Sequence, residues 1–206
     1  MKRVLKWLGN LMILASVFLL VWLIAGNMTS RQQQNQFLNA FESIKAEAGF
    51  DMPISADEQE PFIDKTQEFH GIEGVLTIPL IKLELPVLYG ADPVNLSQAL
   101  GAIANMDRPG EMGGSYAIAG HQAHVFGAFF NRLHAVEAGT RFTYETREGN
   151  MEFEVFDVKV VKPHEVDVLD RKKDIALLSL ITCYPANSNK YRLVVQAKRV
   201  DTQTPE

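Results

Sequence analysis

The sequence predicts a mostly β domain, a closed barrel or sandwich of seven or eight short strands, set behind one N-terminal membrane span. Three observations predict it. Residues 71–206 hold short runs rich in Val, Leu and Ile, punctuated by Gly and Pro, which is the pattern of strands joined by tight connections. Helical stretches in that region are few and short, which favours a closed all-β architecture over a layered α/β one. Residues 8–26 are apolar, interrupted only by Gly9, Asn10 and Ser16, and follow Lys2, Arg3 and Lys6.

The N-terminal stretch, residues 1–26, has the length of a transmembrane helix, since about 20 residues cross a bilayer core. Three cations with no acid hold the N-terminus on the cytoplasmic side, and Trp7 and Trp22 fall near the two interfaces. The sequence "LIAGNM" lacks the small-x-small pattern of a cleaved signal peptide, so the expectation is an uncleaved signal anchor. The expected location is the cell membrane, single-pass, with the domain outside. Residues 27–70 read as an extracytoplasmic stalk, with three Lys/Arg against eight Asp/Glu. Within it, Phe37, Phe41, Ile44 and Ala48 recur at helical spacing, predicting an amphipathic helix over about 31–48 that ends at Gly49. "FDMPISADEQEPF" then reads as a linker.

From Gly71 the signals are strand-like. "GVLTIP", "KLELPVLYG" and "SYAIAG" are short buried runs. "TRFTYETREGNMEFEVFDVKVV" predicts a hairpin: Phe142 and Tyr144 alternate with polar neighbours, the chain turns at Glu148–Gly149–Asn150, and Met151, Phe153 and Val155 alternate again. The apolar phase then slips by one residue to Phe156, Val158 and Val160, which predicts a β-bulge. "IALLSLIT" and "RLVVQAKRV" are the last two strands, and short helices are expected at about 94–104 and 127–134. The formal net charge of −5, and a domain with 14 Lys/Arg against 17 Asp/Glu, exclude a basic nucleic-acid footprint. One cysteine excludes an internal disulfide.

Three residues stand at strand ends with side chains that can do chemistry. Cys183 closes the apolar run Ile175–Ile181; a thiol there is either a small buried hydrophobe or a nucleophile at a barrel rim. Arg192 follows after the loop "YPANSNK", so pairing of the flanking strands sets it near Cys183, where a guanidinium favours thiolate and oxyanion. The bland reading is a rim arginine paired with a carboxylate. His121 follows the strand ending at Gly120, a position for a general acid or base or for a structural histidine. With His124 and Cys183 it makes only an incomplete zinc set. His70, His134 and His164 lack a comparable setting.

Taken together, a strand ending in Ala119–Gly120–His121, the later "LITC" of Leu180–Cys183 and a strand-borne arginine after a short loop resemble the motifs of sortases. "TIPLIKLELPVLYG" is similar to that family's opening hairpin, and the likeness runs over about residues 72–200. The resemblance implies an eight-stranded sortase-type β-barrel over 71–206 and a cysteine transpeptidase. It implies Cys183 as nucleophile, His121 as general acid/base and Arg192 as oxyanion or substrate-positioning group. Thr182 is expected to add a donor, and Ile118, Ala119 and Ile181 to receive the apolar side chains of a Leu-Pro-x-Thr-Gly-like sorting signal. The implied partners are surface proteins bearing that signal and an amine acceptor such as lipid II. No cofactor is expected; Asp107 and Glu111 precede the His121 strand, but two carboxylates do not define a calcium site. The implied subclass is A-like or D-like, against a pilin polymerase. A thiol hydrolase and a non-catalytic tethered binding module are the alternatives from other classes.

Overall fold

The computed structural model describes residues 71–122 and 129–200, with Trp7, Met12, Leu14 and residues 16–18, which are helical and exposed. The predicted anchor otherwise lies outside the described residues, as do the stalk, its amphipathic helix, His70 and His124. Among the described residues, no helix is long and apolar enough to cross a membrane.

Eight strands follow one another: β1 (Ile72–Ile78), β2 (Leu83–Tyr89), β3 (Leu100–Ala102), β4 (Ser115–Ala119), β5 (Arg141–Thr146), β6 (Gly149–Val161), β7 (Leu177–Tyr184) and β8 (Tyr191–Val200). They close into a barrel in the order β1-β2-β3-β4-β7-β8-β6-β5. Closure gives every strand two neighbours and leaves no long edge to aggregate. Two pairings, β2 with β3 and β4 with β7, are parallel and the other six antiparallel.

The predicted hairpin is β5–β6, turning at Arg147–Glu148, with Phe142, Tyr144, Met151 and Phe153 facing inward. The Phe142 and Phe153 rings stack at 5.7 Å between centroids. The predicted bulge is also present: the β6–β8 register shifts between Val155 and Asp157. Beyond it Val158 and Val160 are exposed.

Two helical expectations are corrected. Helix α1 covers only Pro93–Gln98, with Asp92 accepting from the Val94 and Asn95 amides at 2.9 and 3.1 Å. Residues 100–102 form β3 instead of continuing it, because Leu100 and Ala102 are needed in the core where they bridge β2 to β4. Gly101 fits there closely, a Cβ on it lying 2.7 Å from the Gly90 carbonyl oxygen. The second helix, expected over 127–134, is reduced to a 3-10 turn at Leu133–Ala135; residues 127 and 128 lie outside the described residues. Phe129 takes φ +49° and pairs back on Gln122, which turns the chain so that Phe130 and Leu133 both enter the core.

Strand directions fix where the chemistry sits. β4 and β7 run in parallel toward His121 and Cys183, and β8 starts beside the end of β7. Following the pairings around the barrel, β1 begins and β8 finishes at the opposite end.

Candidate active site

Strand β7 is buried on both faces through Leu180, so its continuous apolar run has a structural cause. Leu178 and Leu180 point into the core. The opposite face, with Leu177 and Ser179, lies under the segment joining β6 to β7. That segment is fastened by Ser115 Oγ donating to the Leu169 carbonyl and by Gln196 Nε2 donating to the Val168 carbonyl, both at 2.6 Å. Lys172 Nζ donates to Gln196 Oε1 at 3.0 Å. Farther along β7 this cover ends, and Ile181 and Cys183 emerge half-buried on the outer face. The strand continues through Tyr184, so Cys183 lies inside a strand and not just past one.

Cys183 and Arg192 are direct partners in the β7–β8 ladder. Opposed residues in an antiparallel pair hold their Cβ atoms about 4.5–5.5 Å apart on one face. Arg192 Nη1 donates to the Asn189 carbonyl at 2.9 Å and to the Tyr191 carbonyl at 3.0 Å, holding the end of the β7–β8 loop. On the other side, β4 pairs with β7 in parallel through Ala119 and Ile181, and the Gly120 amide donates to the Ile181 carbonyl at 3.0 Å. The ladder ends there, but the Gly120 carbonyl accepts from the Thr182 hydroxyl at 2.8 Å, which keeps the segment entering His121 beside the Cys183 end of β7. His121 is exposed, with its ring edge-on to Phe129 at 6.5 Å between centroids. Alternation along β4, β7 and β8 puts Ala119, Ile181, Cys183 and Arg192 on one outer face at one end of the barrel, and His121 follows the end of β4 at that same end.

Two expected site residues lie elsewhere. Ile118 is fully buried in the core and faces away from that surface, because it is one residue out of phase with Ala119. It cannot receive a substrate side chain. Thr182 is buried and its hydroxyl donates to the Gly120 carbonyl at 2.8 Å. That hydroxyl is committed to joining β7 to the residue before His121 and is not a free donor to an oxyanion.

Asp107 and Glu111 also have partners. Asp107 Oδ2 accepts from Arg171 Nε at 2.7 Å and from the Ser115 amide at 2.8 Å, and Arg171 Nη2 bonds its other oxygen. The Arg171 hydrogen bond, with the Ser115 amide second, holds the Asp107 carboxyl below the usual carboxylate range. Glu111 Oε2 accepts from the Arg108 amide at 3.4 Å. Among the described residues, no group of three or more His, Cys, Asp or Glu side chains is placed to hold a metal.

A sulfur, an imidazole and a guanidinium at one end of the barrel have the chemistry of a nucleophile, a proton carrier and a fixed cation. A family profile described as the sortase domain matches residues 76–200, more than half of the chain. The chain belongs to the sortase family. Sortase A of Bacillus anthracis is 30% identical over 154 residues, covering 74% of this chain and 70% of that protein. Sortase D of Bacillus subtilis (strain 168) is 29% identical over 131 residues, 62% of this chain and 63% of that protein. Among solved structures, sortase A from Corynebacterium diphtheriae superposes with a TM-score of 0.63 at 24% identity, covering 84% of this chain and 86% of its own. Sortase C-1 from Actinomyces oris gives 0.62 at 24% identity, over 84% and 99%. These likenesses share the barrel fold. As a sortase, the protein is a cysteine transpeptidase of the kind that anchors proteins to cell walls.

Proposed function

We propose that Cys183 is the nucleophile of this sortase, His121 its general acid/base and Arg192 the group that stabilises the oxyanion. The observation that carries the reading is the direct pairing of Cys183 with Arg192, with the His121 segment alongside. The Cys183 thiolate attacks the carbonyl of the Thr-Gly bond in a Leu-Pro-x-Thr-Gly-like signal. A C–S bond forms and the carbonyl oxygen takes the charge. Donors aimed at that oxygen act on the transition state more than on the ground state, each worth roughly 3–4 kcal/mol. Protonated His121 gives its proton to the departing amine as the C–N bond breaks, leaving a thioester. An incoming amine then loses a proton to neutral His121, forms the new amide bond and releases the thiolate. Ala119 and Ile181, half-buried on the same face, are the apolar surface for the Leu-Pro part.

The acceptor is an amino group on a cell-wall precursor such as lipid II, and the barrel is held outside the cell by an uncleaved N-terminal anchor. The cation-led apolar stretch of residues 1–26 supports that placement. The subclass is A-like or D-like, supported by 30% and 29% identity to a sortase A and a sortase D. Incubation with a peptide library, with and without added amine, tests the whole reading. The expected products are a thioester mapped to Cys183 and an amide to the added amine. Hydrolysis alone, unchanged by amine, would make the protein a thiol hydrolase; a folded protein with unmodified Cys183 would make it a binding module.

A further inference from the structure

Gln122 follows His121, and the reaction above makes no use of it. Its segment doubles back: Gln122 forms an isolated antiparallel bridge with Phe129, and the Phe130 amide donates to the His121 carbonyl at 3.1 Å. With its side-chain nitrogen turned toward β7, Gln122 donates to the Cys183 carbonyl at 2.9 Å and to the Pro185 carbonyl at 3.1 Å. A primary amide has two N–H donors, and this arrangement uses both. The reverse orientation would set oxygen against two carbonyl oxygens, so the network itself assigns the amide.

The two residues flanking His121 are thus both fastened to the cysteine strand. Gly120 is held by the Thr182 hydroxyl at 2.8 Å, and Gln122 reaches the main chain of Cys183 and the first residue of the following loop. The far end of that loop is held by Arg192 through the Asn189 carbonyl. We propose that Gln122 is a positioning residue for transpeptidation, fixing the imidazole-bearing segment against the thiol-bearing backbone and the β7–β8 loop. The inference rests on the reading of Cys183 and His121 given above. Its consequence is kinetic, since a misplacement of about 1 Å at a reacting pair can cost on the order of a hundredfold in rate.

The test uses the full chain and two variants of nearly the same length. Gln122→Met removes both donors, and Gln122→Glu turns a negative oxygen pair toward two carbonyls. Both are expected to lower kcat at least tenfold at neutral pH, with KM changed less than threefold. The ratio of Gln122→Glu to wild-type kcat should rise as pH falls through the carboxyl range, because a protonated carboxyl regains one donor. That recovery is not expected of Gln122→Met, and a structural role alone would not produce it. Urea unfolding checks that each variant is folded, and Gln122→Met decides alone if Gln122→Glu is not. Folded variants with wild-type kcat, or a flat ratio across pH alongside wild-type kcat in Gln122→Met, would overturn the proposal while leaving the site reading intact. Failure of a peptide vinyl sulfone to label Cys183 in the wild type would remove the site reading and the proposal with it.

Discussion

Cys183 and Arg192 face each other on two paired strands, with Thr182 one residue before the cysteine, and substitution separates what the three do. Cys183→Ala is expected to abolish both cleavage and transfer, measured by product analysis with a sorting peptide. Arg192→Lys should leave little activity, because an ammonium cannot reproduce the planar fork; near wild-type turnover would remove the oxyanion role. Thr182→Val keeps the shape but strips the bond to the Gly120 carbonyl, and should cost about 1–3 kcal/mol in urea unfolding. Ser179 gives the opposite sign. Its hydroxyl is buried without a hydrogen-bond partner among the described residues, so Ser179→Ala should be neutral or slightly stabilising in the same assay. At this scale the sequence was informative for side chains whose type is unusual at a strand end, such as Cys183, His121 and Arg192. It assigned Thr182 a different role, a donor at the oxyanion, and was silent on Gln122; the partners of both are main-chain carbonyls brought near by the parallel β4–β7 register.

Elements show why some boundaries could be read and others could not. The β5–β6 hairpin and its bulge were legible because alternation and its one-residue slip are local properties of the chain. The helix expected over 94–104 failed at Ala99, since β3 owes its existence to neighbours from β2 and β4 distant in sequence. The segment between β6 and β7 is another product of tertiary contact, fastened to the β3–β4 connection through Asp107 and Arg171. The folded Asp107 pKa is lowered, so its contribution to docking that segment is present above the unfolded value of about 3.9 and is lost as pH falls through the folded one. Hydrogen-exchange protection of residues 162–176, relative to the intrinsic rate at each pH, should fall in that acid range, and Asp107→Asn should remove that fall while lowering protection at neutral pH.

The barrel as a whole carries a second titration, at the alkaline end. Tyr116 and Tyr144 share a hydrogen bond of 3.2 Å inside the core. Burial pushes Tyr116 up to about 12 and Tyr144 well above its ordinary value, so both are neutral phenols in the folded protein. A group that resists ionisation when folded stabilises fully below its unfolded value, near 10, and loses that contribution as pH rises through the folded one. Unfolding followed by denaturant at pH 9 and pH 11 should therefore show a lower midpoint at pH 11, and Tyr144→Phe should narrow the difference.

The strand directions bear on how the molecule can be handled. Polypeptide arrives at Ile72 and departs after Val200 on the side remote from Cys183. A purification tag, fluorescent reporter or immobilising linker grafted at either of those points would leave the opposite mouth unobstructed for a bulky protein substrate.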